Sequence, residues 1–152
     1  MEMMKEILEG KTFLRFEILE HGFCSMPLSS GYAISAETLC RYVGETGEFI
    51  SSQDHGQIFG LSEQYDAAEK INKAIKGKEI KKADLAEETG DLTLIVDGGR
   101  LEIICNSAGY ECYQINGKIR CQVYTLTNKH LLLCFDLSGY HSIKGEQRWE
   151  GR

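Results

Sequence analysis

Three glycine-bearing turns, Glu88-Thr89-Gly90, Asp97-Gly98-Gly99 and Asn116-Gly117, break the second half of the chain into short apolar runs. Asn-Gly between apolar runs favours a tight hairpin, because both residues tolerate the positive φ that such a turn needs. The punctuation predicts strands at 78–86, 91–96, 100–105, 110–115, 118–127 and 130–136, joined as an antiparallel meander. Ile119, Cys121 and Val123, followed by the apolar run 131–135, suit central positions for the last two strands. The glycines of Asp97-Gly98-Gly99 join strand to strand, whereas a dinucleotide-binding glycine loop must lead from a strand into a helix.

The first half reads similarly. Leu14, Phe16 and Ile18 alternate with Arg15 and Glu17, the period of a half-buried strand, and His21-Gly22 marks a turn. Further short strands are expected at 23–28, 31–35 and 38–43, with Pro27, the only proline, at an edge because it cannot donate to a ladder. Met3, Met4, Ile7 and Leu8 recur at helical spacing before Gly10, which predicts a short N-terminal helix. The main helix is expected over 62–76. Ser62 is placed to cap it, Leu61, Tyr65, Ala68, Ile71 and Ile75 form its apolar stripe, and Gly77 ends it. Asp66 with Lys70 and Glu69 with Lys73 fall at i,i+4, and acids precede lysines in the sense that suits the helix dipole.

These elements define an α+β class: a mostly antiparallel β meander with one main helix and a short N-terminal one. The 152 residues suit one domain over 1–152, ending in a polar tail at 141–152. A faint echo runs through it. Residues 22–31 align without a gap to 90–99, and Cys40-Arg-Tyr-Val43 to Cys112-Tyr-Gln-Ile115. Either two related β units, 11–44 and 78–136, are joined by a loop and helix, or two glycine-turned hairpins simply look alike.

Charge and cysteines narrow the function classes. The net charge of −6 argues against nucleic acid, which needs a concentrated basic face. No apolar run approaches the ~20 residues of a spanning helix. The first ten residues lack the basic start and apolar centre of a signal peptide, so a cytoplasmic location is expected. Cys24, Cys40, Cys105, Cys112, Cys121 and Cys134 include no CxxC pair and lie in apolar segments, which predicts reduced, packed thiols. His21, His130 and His141 are scattered without metal-ligand spacing, so no metal or other cofactor is expected. Tyr110, Tyr113, Tyr124, Tyr140, Phe135 and Trp149 are read chiefly as core, any exposed one being an interface candidate.

Residues 44–60 form the longest irregular stretch and the leading place for function. Glu45, Glu48, Asp54, Glu63, Asp66 and Glu69 follow one another there and in the helix start with no Lys or Arg among them. Asp54-His55 is a neighbouring acid–imidazole pair in the polar loop, but adjacent residues seldom converge on a common atom, and no catalytic residues are assigned.

The segment Thr89-Gly-Asp-Leu-Thr-Leu-Ile-Val-Asp-Gly-Gly-Arg-Leu-Glu-Ile103, then Asn106-Ser-Ala-Gly-Tyr-Glu-Cys-Tyr113, resembles a pattern of small uncharacterised bacterial β-meander proteins. Ser52-Gln-Asp-His-Gly56, Phe59-Gly-Leu61 and the opening Leu8-Glu-Gly-Lys11 are similar to the same group. Some of these proteins resemble immunity proteins of contact-delivered toxin systems. The resemblance implies a non-catalytic immunity-type binder; the acid run suggests that it covers a basic toxin surface, with Glu45, Glu48, Asp54, His55 and Glu63 of the loop and helix start as partner-binding candidates. The alternative is a small enzyme or ligand-binding domain with a pocket between sheet and helix.

Overall fold

The computed structural model describes residues 2–106, 111–126 and 129–136, and side chains in 2–106, 111–118 and at Cys121. The chain is α+β, with antiparallel strands in two sheets and two α-helices. In order it runs α1 (Glu2–Leu8), β1 (Glu17–Ile18), β2 (Cys24–Pro27), β3 (Ala33–Ala36), β4 (Leu39–Gly44), β5 (Phe49–Ser51) and α2 (Ala67–Ile75). There follow β6 (Lys82–Leu85), β7 (Leu92–Val96), β8 (Gly99–Ile104), β9 (Glu111–Asn116), β10 (Ile119–Leu126) and β11 (Lys129–Asp136). One sheet has the order β1-β2-β3-β9-β10-β11 and the other β5-β4-β8-β7-β6. No helix among the described residues is long and apolar enough to cross a membrane.

The strand order interleaves the two halves. Each half supplies a helix and then a three-strand meander to one sheet, and crosses to the other sheet between its third and fourth strands. At the sheet centres β3 pairs with β9 and β4 with β8. A reciprocal set of backbone hydrogen bonds joins the halves after their helices. Gly10 N–H donates to Ile80 C=O at 2.9 Å and Gly77 N–H to Phe13 C=O at 2.8 Å; Phe13 N–H donates to Lys78 C=O at 3.0 Å and Ile80 N–H to Lys11 C=O at 2.8 Å. One and the same sequence offset carries Gly10 to Gly77, Lys11 to Lys78 and Phe13 to Ile80, so the set has approximate two-fold symmetry about the Thr12–Glu79 bridge. Both glycines have positive φ, 82° and 77°, where a side chain would be strained. The same offset relates two further donors but not their acceptors: Phe16 N–H donates to Asn72 Oδ1 at 2.8 Å and its counterpart Ala83 N–H to Glu9 Oε1 at 3.1 Å. Each helix therefore packs on the other half, α1 against β6 and α2 against β1.

One continuous core results, with Met4, Leu8, Phe13, Met26, Ile34, Ile71, Ile75, Ile80, Leu92 and Leu94 from both halves almost wholly buried. Among the described residues Glu102 is the buried charged one, 7% exposed, opposite Arg41 in register and bonded to Arg41 and to Arg100 at 2.6 Å.

Several expectations are corrected. The helix starts at Ala67, because the Asp66 carboxylate accepts from the Glu69 N–H at 2.9 Å and ends the irregular stretch there; Ser62 caps nothing. Its buried stripe is Ala67, Ile71 and Ile75, while Leu61 lies outside it and is exposed. Glu69 does pair with Lys73 at 2.9 Å, but Asp66 serves as the cap instead of pairing with Lys70. In the first segment Phe13 and Phe16 are buried and Leu14 is exposed, since bonding to 77–80 fixes the face that 12–13 present. Pro27 ends β2, whose partner β1 reaches only Ser25 and Cys24. β11 stands at a sheet end beyond β10 and not at the centre, because the crossover gives the central place to β9. The stretch 44–60 contains β5, which closes the edge of the second sheet. Cys121 is disulfide-bonded, with Cys134 opposite it in register, which overturns the expectation of six reduced thiols. Tyr110, Tyr140, His141 and Trp149 lie outside the described residues, as do the side chains of Tyr124, His130 and Phe135.

Burial pushes the Glu102 carboxyl up, but Arg100 and Arg41 outweigh it and hold the group below the usual carboxylate range. A depressed folded-state value gives stability that is present above the unfolded carboxylate range, near pH 4.3, and lost as pH falls through the folded value. Glu102→Gln is expected to cost roughly 1–2 kcal/mol at pH 7, discounted because both arginines reach solvent. It is also expected to make the acid limb of the stability profile shallower below about pH 4.5, as read by urea denaturation from pH 3 to 7.

Candidate functional site

The linker between the halves leaves β5 and makes one turn of 3-10 helix at Ser52–Asp54, capped by Ser51. It then closes on itself. Gly56 N–H donates to Tyr65 C=O at 2.8 Å and Tyr65 N–H to Gln57 C=O at 2.7 Å, forming the stem of a small hairpin. At its tip Leu61 N–H donates to Ile58 C=O at 2.8 Å, spanning Phe59 and Gly60, which have φ of 48° and 75°. Two successive positive φ values are the pattern of a type I′ turn, whose first central position favours Asn, Asp or Gly. A phenylalanine there is a backbone outlier that costs about 1–2 kcal/mol. The tip nevertheless exposes its apolar residues: Ile58 is 56% exposed, Phe59 63% and Leu61 57%. The Phe59 ring meets the edge of Tyr65, centroids 6.0 Å apart.

Tyr65 also lines a groove of about 730 Å³ between β4, β5 and α2, with Tyr42, Glu45, Glu48, Phe49, Lys70, Lys73 and Lys78 around it. Phe49 is 57% exposed, so apolar surface continues from the hairpin towards the groove. The groove is mixed in charge and its groups are largely engaged. Glu48 accepts from the Thr46 hydroxyl at 2.7 Å, a bond that holds its carboxyl below the usual range with help from Lys78. Lys78 donates to the Asp97 carbonyl at 2.6 Å, Lys73 pairs with Glu69, and Lys70 stands over the Tyr65 ring. Burial, followed by the charges of Glu48 and Glu45, raises the Tyr42 phenol, which donates to the Gly98 carbonyl at 3.1 Å.

The five partner-binding candidates do not form one cluster. Glu45 and Glu48 are exposed on the groove, Glu63 is exposed in the hairpin, and Asp54 is half-buried in the 3-10 turn. His55 faces a separate polar cleft of about 360 Å³ with His21, Glu37, Thr38, Ser52 and Asn106. Its Nδ1 lies 3.5 Å from Asp66, not paired with its neighbour Asp54. In that cleft the Ser52 hydroxyl accepts from Cys40 N–H, and the Thr38 hydroxyl donates to Asn106 Oδ1 at 2.8 Å and to the Ile104 carbonyl. Among the described residues no three His, Cys, Asp or Glu side chains converge to hold a metal ion. The charge pattern points to the linker but not to its apolar tip. The signal for the tip is Ile58-Phe59-Gly60-Leu61, an apolar run in an otherwise polar stretch, whose Leu61 reads from sequence as part of the helix stripe.

No protein-family model, curated protein or solved structure matches the chain.

Replacing Ile58, Phe59 and Leu61 together with serine removes largely exposed groups and the Phe59–Tyr65 ring contact, so stability is expected to fall by no more than about 1 kcal/mol. Retention on a hydrophobic-interaction column is expected to shorten clearly; a fall in the thermal midpoint of many degrees would show that the tip packs on the body.

Proposed function

We propose that this chain is a non-catalytic protein-binding protein of the immunity type, which acts in the bacterial cytoplasm by covering a basic surface of a cognate toxin domain. The observation that carries this reading is the hairpin tip, where an aromatic residue is held at positive φ and presented to solvent between two aliphatic ones. Local strain that persists at a residue left 63% exposed, with one ring contact to Tyr65, points to a role outside the fold. Aromatic anchors within a polar surround are what protein interfaces use for affinity. Glu63 in the hairpin and Glu45 and Glu48 along the groove add exposed negative charge around that apolar centre. A basic partner meets it with complementary potential, which accelerates encounter and excludes wrong partners. The depressed carboxyl of Glu48 keeps that charge in place as pH falls.

The alternative, a ligand-binding domain or small enzyme, draws on the groove between sheet and helix, where Lys70, Lys73 and Lys78 could receive an anionic small molecule. The bonds already made by Lys73, Lys78 and Glu48 favour the first reading, because they leave few groups presented to a ligand.

Two measurements separate the readings. Neutralising Glu45, Glu48, Asp54 and Glu63 together with Gln and Asn is expected to weaken binding to the toxin domain encoded beside this chain. The expected loss is roughly tenfold to a hundredfold, mainly through slower association and with less salt dependence; an unchanged Kd sinks the acidic-surface reading. A thermal-shift panel of anionic metabolites is expected to leave the midpoint unmoved. A saturable rise that Lys70→Ala with Lys73→Ala abolishes would favour the ligand-binding alternative.

A further inference from the structure

The chain passes from its first half, α1 to β5, to its second, α2 to β11, only once, through the linker at 52–66. The bonds between the halves do not depend on that linker. The pairings β3–β9 and β4–β8, the reciprocal strips at 10–13 and 77–80, and the seats of α1 on β6 and α2 on β1 all run from one half to the other. A half taken from a second copy of the chain offers every one of these partners at the same places. Two copies can therefore exchange halves and keep the whole fold, provided that each linker can leave its present path.

The linker is fastened at its ends and held mainly by itself in between. At the first end the Ser52 hydroxyl accepts from the Cys40 N–H at 3.0 Å; at the second, Asp66 caps α2 and Lys70 stands over the Tyr65 ring. Between them, 56–65 is closed by its own stem and tip bonds and by the Phe59–Tyr65 ring contact, with His55 3.5 Å from Asp66. The closed hairpin requires positive φ at Gly56, Phe59 and Gly60, of 80°, 48° and 75°, and the Phe59 side chain resists it. An extended path removes that strain. Drawn out, 56–65 reaches roughly 33 Å, long enough to pass from the surface of one unit to that of its neighbour. A two-fold axis between two such units runs their linkers antiparallel, so Ile58, Phe59 and Leu61, exposed in the closed form, come beside the same residues of the second linker.

We propose that this chain forms a closed two-fold dimer by exchanging halves: α1 to β5 of each copy packs with α2 to β11 of the other, and 56–65 of each copy opens from a hairpin into an extended connector. The partner is a second copy of the chain, and the main interface is the one already present inside the monomer. Closure within one chain has the advantage of the tether, which gives the halves an effective concentration in the millimolar range. The monomer is therefore the dilute form, and high concentration or a hinge that resists closing favours the exchanged one. Conversion between the folded forms requires the strips at 10–13 and 77–80 to separate, which is global unfolding, so each form persists once made. Exchange also takes the hairpin apart, so the dimer does not present the tip as the monomer does. It needs no outside partner and does not depend on the binding role proposed above.

The test is to unfold the full chain in urea and refold it by dilution, either to micromolar concentration or to about 1 mM, the range set by the tether. Mass is read by gel filtration with light scattering, and non-reducing gels exclude cross-links through thiols. The expected result is monomer from dilute refolding and, from concentrated refolding, a non-covalent dimer with the circular dichroism of the monomer. Phe59→Gly relieves the strain of the closed turn and is expected to lower the dimer-to-monomer ratio roughly tenfold. Gly56→Val and Gly60→Val together add strain at positions where a Cβ meets open space, and are expected to raise the ratio by roughly tenfold or more. Isolated dimers of unlabelled and isotope-labelled chain are expected to keep their own masses when mixed in buffer and to form mixed dimers only after a pulse of urea. Monomer alone from both the wild type and the valine variant, a ratio that Phe59→Gly leaves unchanged, or dimers that mix without denaturant would each overturn the proposal, the last by marking an ordinary surface dimer. If the valine variant does not fold, the wild type and Phe59→Gly decide.

Discussion

The fold depends on the reciprocal hydrogen bonding between the segments that follow the two helices. Gly10, Lys11 and Phe13 are matched with Gly77, Lys78 and Ile80, each strip satisfying the backbone groups of the other. A buried backbone group left unpaired costs about 1–3 kcal/mol, so neither strip is stable in place without its counterpart. Each half thus forms its first layer on the other. Helix packing repeats the exchange, α1 lying on β6 and α2 on β1, with Asn72 and Glu9 bonding the entering strand of the opposite half.

That constraint determines what remains for function. Once the halves interleave, the linker that joins them leaves β5 and pairs with itself. The hairpin stem at Gly56, Gln57 and Tyr65 does this and leaves Ile58, Phe59 and Leu61 outside every sheet.

Much of the β architecture was legible because its signals are local. Gly90 and Gly98 have positive φ where turns were expected, and the strands β7 to β11 fall close to their predicted bounds. Gly117 illustrates a limit: it does not take positive φ, and a Cβ there would instead run into the Tyr32 ring, a close approach made by a distant residue. Long-range effects also decided the misplaced elements. Leu14 and Phe16 look alike in an alternating run until the strip at 77–80 selects Phe13 and Phe16 for burial. Ser62 and Asp66 are both acceptable caps, and the hairpin stem at Tyr65 leaves only Asp66 at the start of a helix. The candidate acids were grouped by sequence proximity, but folding sends Glu45 and Glu48 to the groove, Glu63 to the hairpin and His55 to another cleft.

Amide hydrogen exchange of the chain, alone and saturated with the toxin domain proposed as its partner, tests both the interleaved, mutually bonded scaffold and the proposed contact surface on the linker. The account predicts that Gly10, Phe13, Gly77 and Ile80 exchange only with global unfolding in both states, while added protection on binding is concentrated in 45–66. Fast exchange at those four amides would contradict the scaffold, and protection gained around His21, Glu37 and Thr38 with none in 45–66 would contradict the site.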